Sequence, residues 1–314
     1  MKPSSLARIA VLSCLLAVAP AALSLGPATP SPGAAAPAVR KLDVKEIRLD
    51  NGMRIFVLER TASPTFAGYY QFGVGAASDP KGRTGIAHLL EHMMFKGSRT
   101  VGTLDASAEA PLMQRLSGLW HELDRTLDRT DDPFATPDPE KVKSLKAQIE
   151  EVSNEQKKLV VKNEYDELMT RAGGASENAS TDNDTTNYYI QLPSNRLELW
   201  FRLESDRLLH PVFREFWSER DVVHEERRMG VENQAEGLAS ETLEGLLFTA
   251  HPYRNPVVGW PRDVARLKQE DAEGYFRTYY SPSNCVMVLA GDLEAGEVER
   301  LARKYLGSWQ RQDI

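Results

Sequence analysis

The stretch GIAHLLEHMMFKGS, residues 85–98, reads as a helix that carries chemistry. Ile86, Leu89, Leu90, Met93 and Met94 recur at helical spacing, and Gly97 suits the end. His88 and His92 stand four residues apart, so their imidazoles fall on one face, a turn from each other. Two imidazoles so placed can hold one Zn²⁺ at about 2.0–2.1 Å each. Glu91 sits beside the same face and can reach a water on such an ion to take its proton. The competing reading is an ordinary amphipathic helix that happens to hold two histidines. The two readings differ in what they ask of the rest of the chain. A hydrolytic zinc site needs a third protein ligand and an open fourth position.

Residues 85–98 offer no other good ligand, so the third must come from elsewhere. The acidic segment SERDVVHEERRMGVENQ (218–234) is the candidate, read as a helix with Ser218 and Asp221 in a capping-box arrangement. Glu219 and Glu226 lie close to two turns apart and share a face. Val222 and Val223 fall near that face, which suggests that it packs inward. Carboxylates on an inward face need partners, and a metal is a good one.

Outward from these helices the pattern is mixed. VKEIRLDNGMRIFVLER (44–60) is a hairpin turning at Asp50-Asn51-Gly52, and TFAGYYQFGVG (65–75) is a third strand. DTTNYYIQLP (184–193) and NCVMVLAG (284–291) are further strands, while 194–209, 263–280 and 293–306 read as helices. Residues 105–169 differ. Leu112, Leu116, Leu119, Leu123 and Leu127 repeat every three or four residues, as do Val142, Leu145, Ile149 and Val152. DDPFATPDP (131–139) separates the two sets, giving a highly charged helical hairpin. His121 within it is a surface or packing residue.

The composition, 41% hydrophobic and 26% charged, is that of a globular protein. A net charge of -7 argues against nucleic-acid binding, which favours a basic surface. Lys2, Arg8 and the apolar run 9–23 read as a secretory signal over residues 1–24, cleaved between Ala21 and Leu25. That run is too short and too Pro-broken for a stable membrane span. Cys14, in the poor lipobox VLSC, makes lipid anchoring a minor alternative. The Pro- and Ala-rich residues 25–41 read as a tether. Cleavage would leave Cys285 as the one thiol, with no internal disulfide available.

HLLEH, preceded by GRTGIA and followed by MMFKGS, resembles the signature of the inverzincins, the pitrilysin/insulinase metallopeptidases, which include the mitochondrial processing peptidase. Four further segments agree in order: ENASTDNDTTNYY (177–189), ERDVVHEERRM (219–229), HPYRNPVVGWPRDV (251–264) and YYSPSNCVMVLAGDL (279–293). The resemblance spans 42–104 and 165–310. It implies an α+β catalytic domain over 42–314, with a mixed, largely antiparallel sheet, helices packed on one face, and the hairpin inserted at 105–169. It implies one Zn²⁺ per chain, ligated by His88, His92 and Glu226. Glu91 would be the general base, Glu219 an accessory carboxylate supporting the site, and Asn178 a contact to substrate backbone. Glu225 rivals Glu226 but would project about 100° away on the helix. His224 and His251 have no ligand role in the family pattern and read as structural. The implied reaction is hydrolysis of peptide bonds, with the peptide bound extended against a sheet edge.

Two features depart from the family. Far more residues separate His92 from Glu226 than is usual there, and the hairpin accounts for the excess. Family members also carry two related halves, and this chain stops where the first should end. A second half-domain subunit, self-association or a longer gene product is therefore expected. A non-catalytic peptide-binding or assembly subunit is the rival function. Loss of a ligand or of Glu91 would favour it, and all four residues are present. Export implies the periplasm if the source is a Gram-negative bacterium.

Overall fold

A computed structural model describes residues 41–127, 136–312 and 314. The expected signal segment, Cys14, the tether up to residue 40 and part of the hairpin's turn lie outside the described residues.

Among the described residues, six strands form one mixed sheet: β1 (Val44–Arg48), β2 (Arg54–Glu59), β3 (Thr65–Phe72), β4 (Ala175–Thr181), β5 (Thr186–Pro193) and β6 (Cys285–Gly291). Their order is β1-β2-β6-β3-β5-β4. Only the β2–β6 pairing is parallel. The expected hairpin is present, with Gly52 at φ 92 in its turn, a backbone geometry cheap only for glycine.

β2, β3, β5 and β6 alternate in burial. Ile55, Val57, Tyr70, Phe72, Tyr188, Ile190, Met287 and Leu289 are buried on one face, where the helices lie. Each such apolar side chain contributes roughly 1.5–3 kcal/mol. The fold is thus α+β, with helices covering one sheet face as expected. β4, expected only as a stretch before a strand, is itself an edge strand. Its polar composition, ASENAST, hides the alternation because only Ala179 is fully buried.

Against the buried face lie α1 (Ile86–Met93), α5 (Leu197–Leu209), α6 (Phe216–Arg227), α9 (Gln269–Tyr279) and α10 (Ala295–Leu306), with α4 (Glu164–Arg171), α7 (Ala235–Leu247) and the one-turn α8 (Pro261–Val264) between them. The inserted hairpin is α2 (Ala106–Leu127) and α3 (Pro139–Gln156). It has a core of its own, Leu116, Leu123, Leu145, Ile149 and Val152, joined to the main core through Trp120.

Several local expectations need correction. The helix expected over 218–234 begins at Phe216, after Glu215 in a left-handed conformation (φ 59), so Ser218 and Asp221 lie within it and form no capping box. It ends at Arg227 in a π-helical turn, Arg228–Glu232, and α7 follows as a separate helix. Val222 is exposed, and only Val223 packs inward. The helix expected over 263–280 is two, α8 and α9, with fully buried Leu267 between them.

Candidate metal centre

α1 is pinned at both ends. At its start Gly85 has φ 89, and a Cβ there would meet the Val258 carbonyl at 2.8 Å. Asp79 accepts from the Gly85 and Ala87 amides at 2.7 and 3.2 Å, placing a carboxyl at the helix N-terminus, where orphan N–H groups need acceptors. Beyond its end a short turn, Met94–Lys96, stops at Gly97 (φ 83). Arg207 donates to the Met94 carbonyl at 3.4 Å, and buried Arg214 donates to the carbonyls of Lys96, Ser98 and Val101. Ile86, Ala87, Leu89, Leu90 and Met93 are buried, which turns His88 and His92 to one side.

α6 lies beside α1. Phe216, Trp217, Arg220, Val223 and Arg227 are its buried positions. The hairpin braces it: Trp120 stacks on Trp217, and the Arg220 guanidinium lies over both rings at 5.4 and 4.9 Å. At its far end Arg227 pairs with Glu241 of α7 at 2.7 Å and donates to the Gly259 carbonyl at 2.9 Å.

Between the two helices His88, His92 and Glu226 converge, one donor atom of each lying within 4.8 Å of the others. His88 Nε2 and His92 Nε2 are 3.3 Å apart, and Glu226 Oε2 is 3.7 and 3.5 Å from them. Ligands on a tetrahedral Zn²⁺ with bonds of about 2.0–2.2 Å stand about 3.3–3.5 Å apart, so the triangle fits that ion. The chemistry of the donors agrees. His92 Nδ1 faces the Glu219 carboxylate at 3.5 Å, which leaves the Nε2 lone pair turned toward the other two donors. Three acceptors aimed at one point repel each other unless a cation lies between them. Burial, and then the neighbouring His92, push the His88 pKa down to about 4, so His88 is neutral and ligand-ready at physiological pH.

Glu91 is buried, and its Oε2 accepts a short hydrogen bond from the Thr181 hydroxyl at the end of β4. Burial raises its pKa, opposed by that hydrogen bond and by His92. Glu219 behaves in the opposite way. Its burial is outweighed by His92 and Lys96, and its pKa is lowered. Asn178 is exposed on β4, opposite Tyr189, and its side-chain oxygen accepts from the Ala179 amide at 2.9 Å. It is three residues from Thr181, on the outer strand that reaches Glu91. Glu225 points away and pairs with Arg228 at 2.6 Å.

A sequence model described as "Insulinase (Peptidase family M16)" matches residues 56–111 and 152–259, and one described as "Peptidase M16 inactive domain" matches 266–313. The chain belongs to the insulinase family, peptidase family M16. The interval between the first two matched segments covers most of the hairpin. Among relatives, the chain is 25% identical over 244 residues to "Zinc protease PqqE" of Helicobacter pylori, covering 77% of this chain and 41% of that protein. It is 22% identical over 258 residues to "Probable mitochondrial-processing peptidase subunit beta" of Arabidopsis thaliana, covering 82% of this chain and 37% of that one. The chain thus spans less than half the length of either relative. Among solved structures, a protease from Helicobacter pylori superposes with a TM-score of 0.65 at 22% identity, over 87% of this chain and 52% of that one. The first half of the periplasmic protease PqqL from Escherichia coli gives 0.61 at 19%, over 86% and 47%. These likenesses bear on the fold.

Sequence reasoning passed over several residues that shape the centre. Lys96 stands four residues after His92, and that spacing alone could have placed it on the same face. Thr181 and Arg214 carry no local signal, because each reaches α1 or its end from a distant segment, and Glu109 acts only by holding Arg214. His121 is a packing residue, bonded to Glu270 at 3.0 Å across the α2–α9 contact.

Proposed function

We propose that this chain is the zinc-binding, catalytic half of a metalloendopeptidase that hydrolyses peptide bonds in extended peptides. The observation that carries the reading is the convergence of His88, His92 and Glu226 beside a buried Glu91. In this reading those three residues hold one Zn²⁺, and the names of the relatives, zinc proteases, support that metal. Bound there, Zn²⁺ would polarise a scissile carbonyl and acidify a water.

Every other part falls to the chain's own groups. Glu91 takes the proton of the attacking water and passes it to the departing amine nitrogen. A raised proton affinity suits a group that must first accept and then donate. The Thr181 hydroxyl holds one Glu91 oxygen and leaves the other for the reaction. Glu219 orients His92 through Nδ1. β4 has a free edge on which a peptide can add as a strand, with Asn178 positioned to meet its backbone.

The catalytic domain in this proposal is residues 42–314, with 105–169 an insertion and 1–41 an export signal and tether. Export to a periplasmic space is supported by the periplasmic neighbour and by the apolar N-terminal run. No helix among the described residues is long and apolar enough to cross a membrane. A second half-domain, on a longer gene product, on another subunit or on a second copy, completes the substrate chamber. The test is peptide cleavage by the purified protein with zinc quantified on the same sample. Stoichiometric zinc with chelator-sensitive cleavage is expected. Absence of zinc would end the reading, and zinc without cleavage would show that the second half is required.

A further inference from the structure

Lys96 has no place in the mechanism above, yet it lies one turn beyond His92 with its ammonium turned toward the metal helices. Its Nζ is 2.5 Å from Glu219 Oε1, and the other oxygen of that carboxylate, Oε2, is 3.5 Å from His92 Nδ1. The two oxygens of Glu219 are thus divided between a cation and an imidazole. This is not a surface ion pair of the kind that contributes little. The side chains of Lys96 and Glu219 are only 21% and 14% exposed. The Lys96 backbone is fixed as well, by the left-handed turn at Gly97 and by Arg214, which donates to the Lys96 carbonyl and is itself held by Glu109. A second carboxylate, Glu215, lies 3.8 Å from the ammonium.

We propose that Lys96 is a positioning residue for the metal centre: acting through Glu219, it sets the orientation and tautomer of His92 and so the affinity of the site for Zn²⁺. The inference rests on the zinc reading given above. Glu219 is largely withdrawn from water, and an unpaired carboxylate there is costly. Lys96 locks one oxygen of Glu219 and leaves the other facing His92 Nδ1. A carboxylate facing Nδ1 favours the ring proton on that nitrogen and leaves Nε2 bare toward Glu226 and His88. Without the cation, the carboxylate gains freedom to rotate away from His92. His92 can then hold its proton on Nε2, where it blocks ligation.

The test is zinc affinity of the full protein, measured by competition with a chromogenic chelator, for wild type, Lys96→Met, Lys96→Arg, Glu219→Gln and the Lys96→Met/Glu219→Gln double variant. Loss of a partner outside the ligand set costs 10–100-fold in metal affinity, and the more remote Lys96 should fall near the low end, roughly tenfold. Lys96→Arg, which keeps the cation, should recover most of it. The double variant should bind zinc no worse than Glu219→Gln, because Lys96 acts only through that carboxylate. Imidazole ¹⁵N shifts of the metal-free protein should report Nδ1–H at His92 in wild type and a shift toward Nε2–H in Lys96→Met, a change that mere loosening of the fold would not produce. Lys96→Gln serves if the Met variant fails to fold. Wild-type affinity in the Met or Gln variant, an additive loss in the double variant or an unchanged tautomer would each overturn the proposal. Failure of wild type to bind zinc at all would instead remove the zinc reading on which it stands.

Discussion

Trp120, on the inserted hairpin, stacks on Trp217 of α6 with ring centroids 5.0 Å apart and planes 20° from parallel. The hairpin therefore leans on the helix that carries Glu219 and Glu226. Trp217 is buried and Trp120 half-buried. Truncating a fully buried Trp costs about 3–5 kcal/mol, so Trp120→Ala should cost about 2 kcal/mol, read as a lowered midpoint in urea unfolding. A loss under about 0.5 kcal/mol, the scale of ordinary surface substitutions, would mean that the hairpin does not brace α6.

Glu91 and the ligands should separate cleanly. Glu91→Gln keeps the three donors and should retain zinc, while hydrolysis falls by about 10²–10⁴-fold, the usual contribution of a general base. His88→Ala and Glu226→Ala should each lose stoichiometric zinc in a metal assay. Full occupancy in Glu226→Ala would show that another residue is the third ligand.

Glu177, on β4 beside Asn178, gives the fold a pH dependence. Burial, opposed by Arg207 and reinforced by Asp166 and Glu204, raises its pKa to about 7 from an ordinary 4.5. The folded state holds this proton more tightly than the unfolded chain does. The stability it contributes is therefore full below pH about 4.5 and lost as pH rises through about 7. Glu177→Gln should leave stability unchanged at pH 4 and raise it by about 1 kcal/mol at pH 8, a figure reduced for solvent screening because the group is partly exposed. Thermal melts at the two pH values would check this, and an equal gain at both would contradict it.

Glu109 of α2 and Arg214 form an ion pair at 3.1 Å, with both side chains at most 2% exposed. Removing one member of a buried pair costs about 3–5 kcal/mol. Glu109→Ala should fall near about 3 kcal/mol, since Arg214 keeps its three carbonyl acceptors. Chemical denaturation would measure it, and a neutral result would mean that Arg214 is satisfied by the Lys96–Val101 loop alone.

The residues of the candidate metal centre were legible wherever the chemistry is local. His88, Glu91 and His92 share one short helix, and helical periodicity alone fixes which of them face together. The seven-residue spacing of Glu219 and Glu226 likewise put both on one face of α6. Strand alternation and the Asp50-Asn51-Gly52 turn were enough to read β1, β2, β3, β5 and β6, and the leucine repeat delivered the hairpin. The tertiary structure decided what sequence separation hides. It brought α6 against α1, so that Glu226, chosen over Glu225 from the sequence, meets the histidines. It brought the end of β4, whose polar composition concealed a strand, onto Glu91 through Thr181. It placed Lys96 on Glu219 and Arg214 on the carbonyls behind α1. Periodicity within an element follows from backbone geometry and can be read from the chain. Contacts between elements depend on how the sheet and helices bury one another, and no local pattern of residues encodes them.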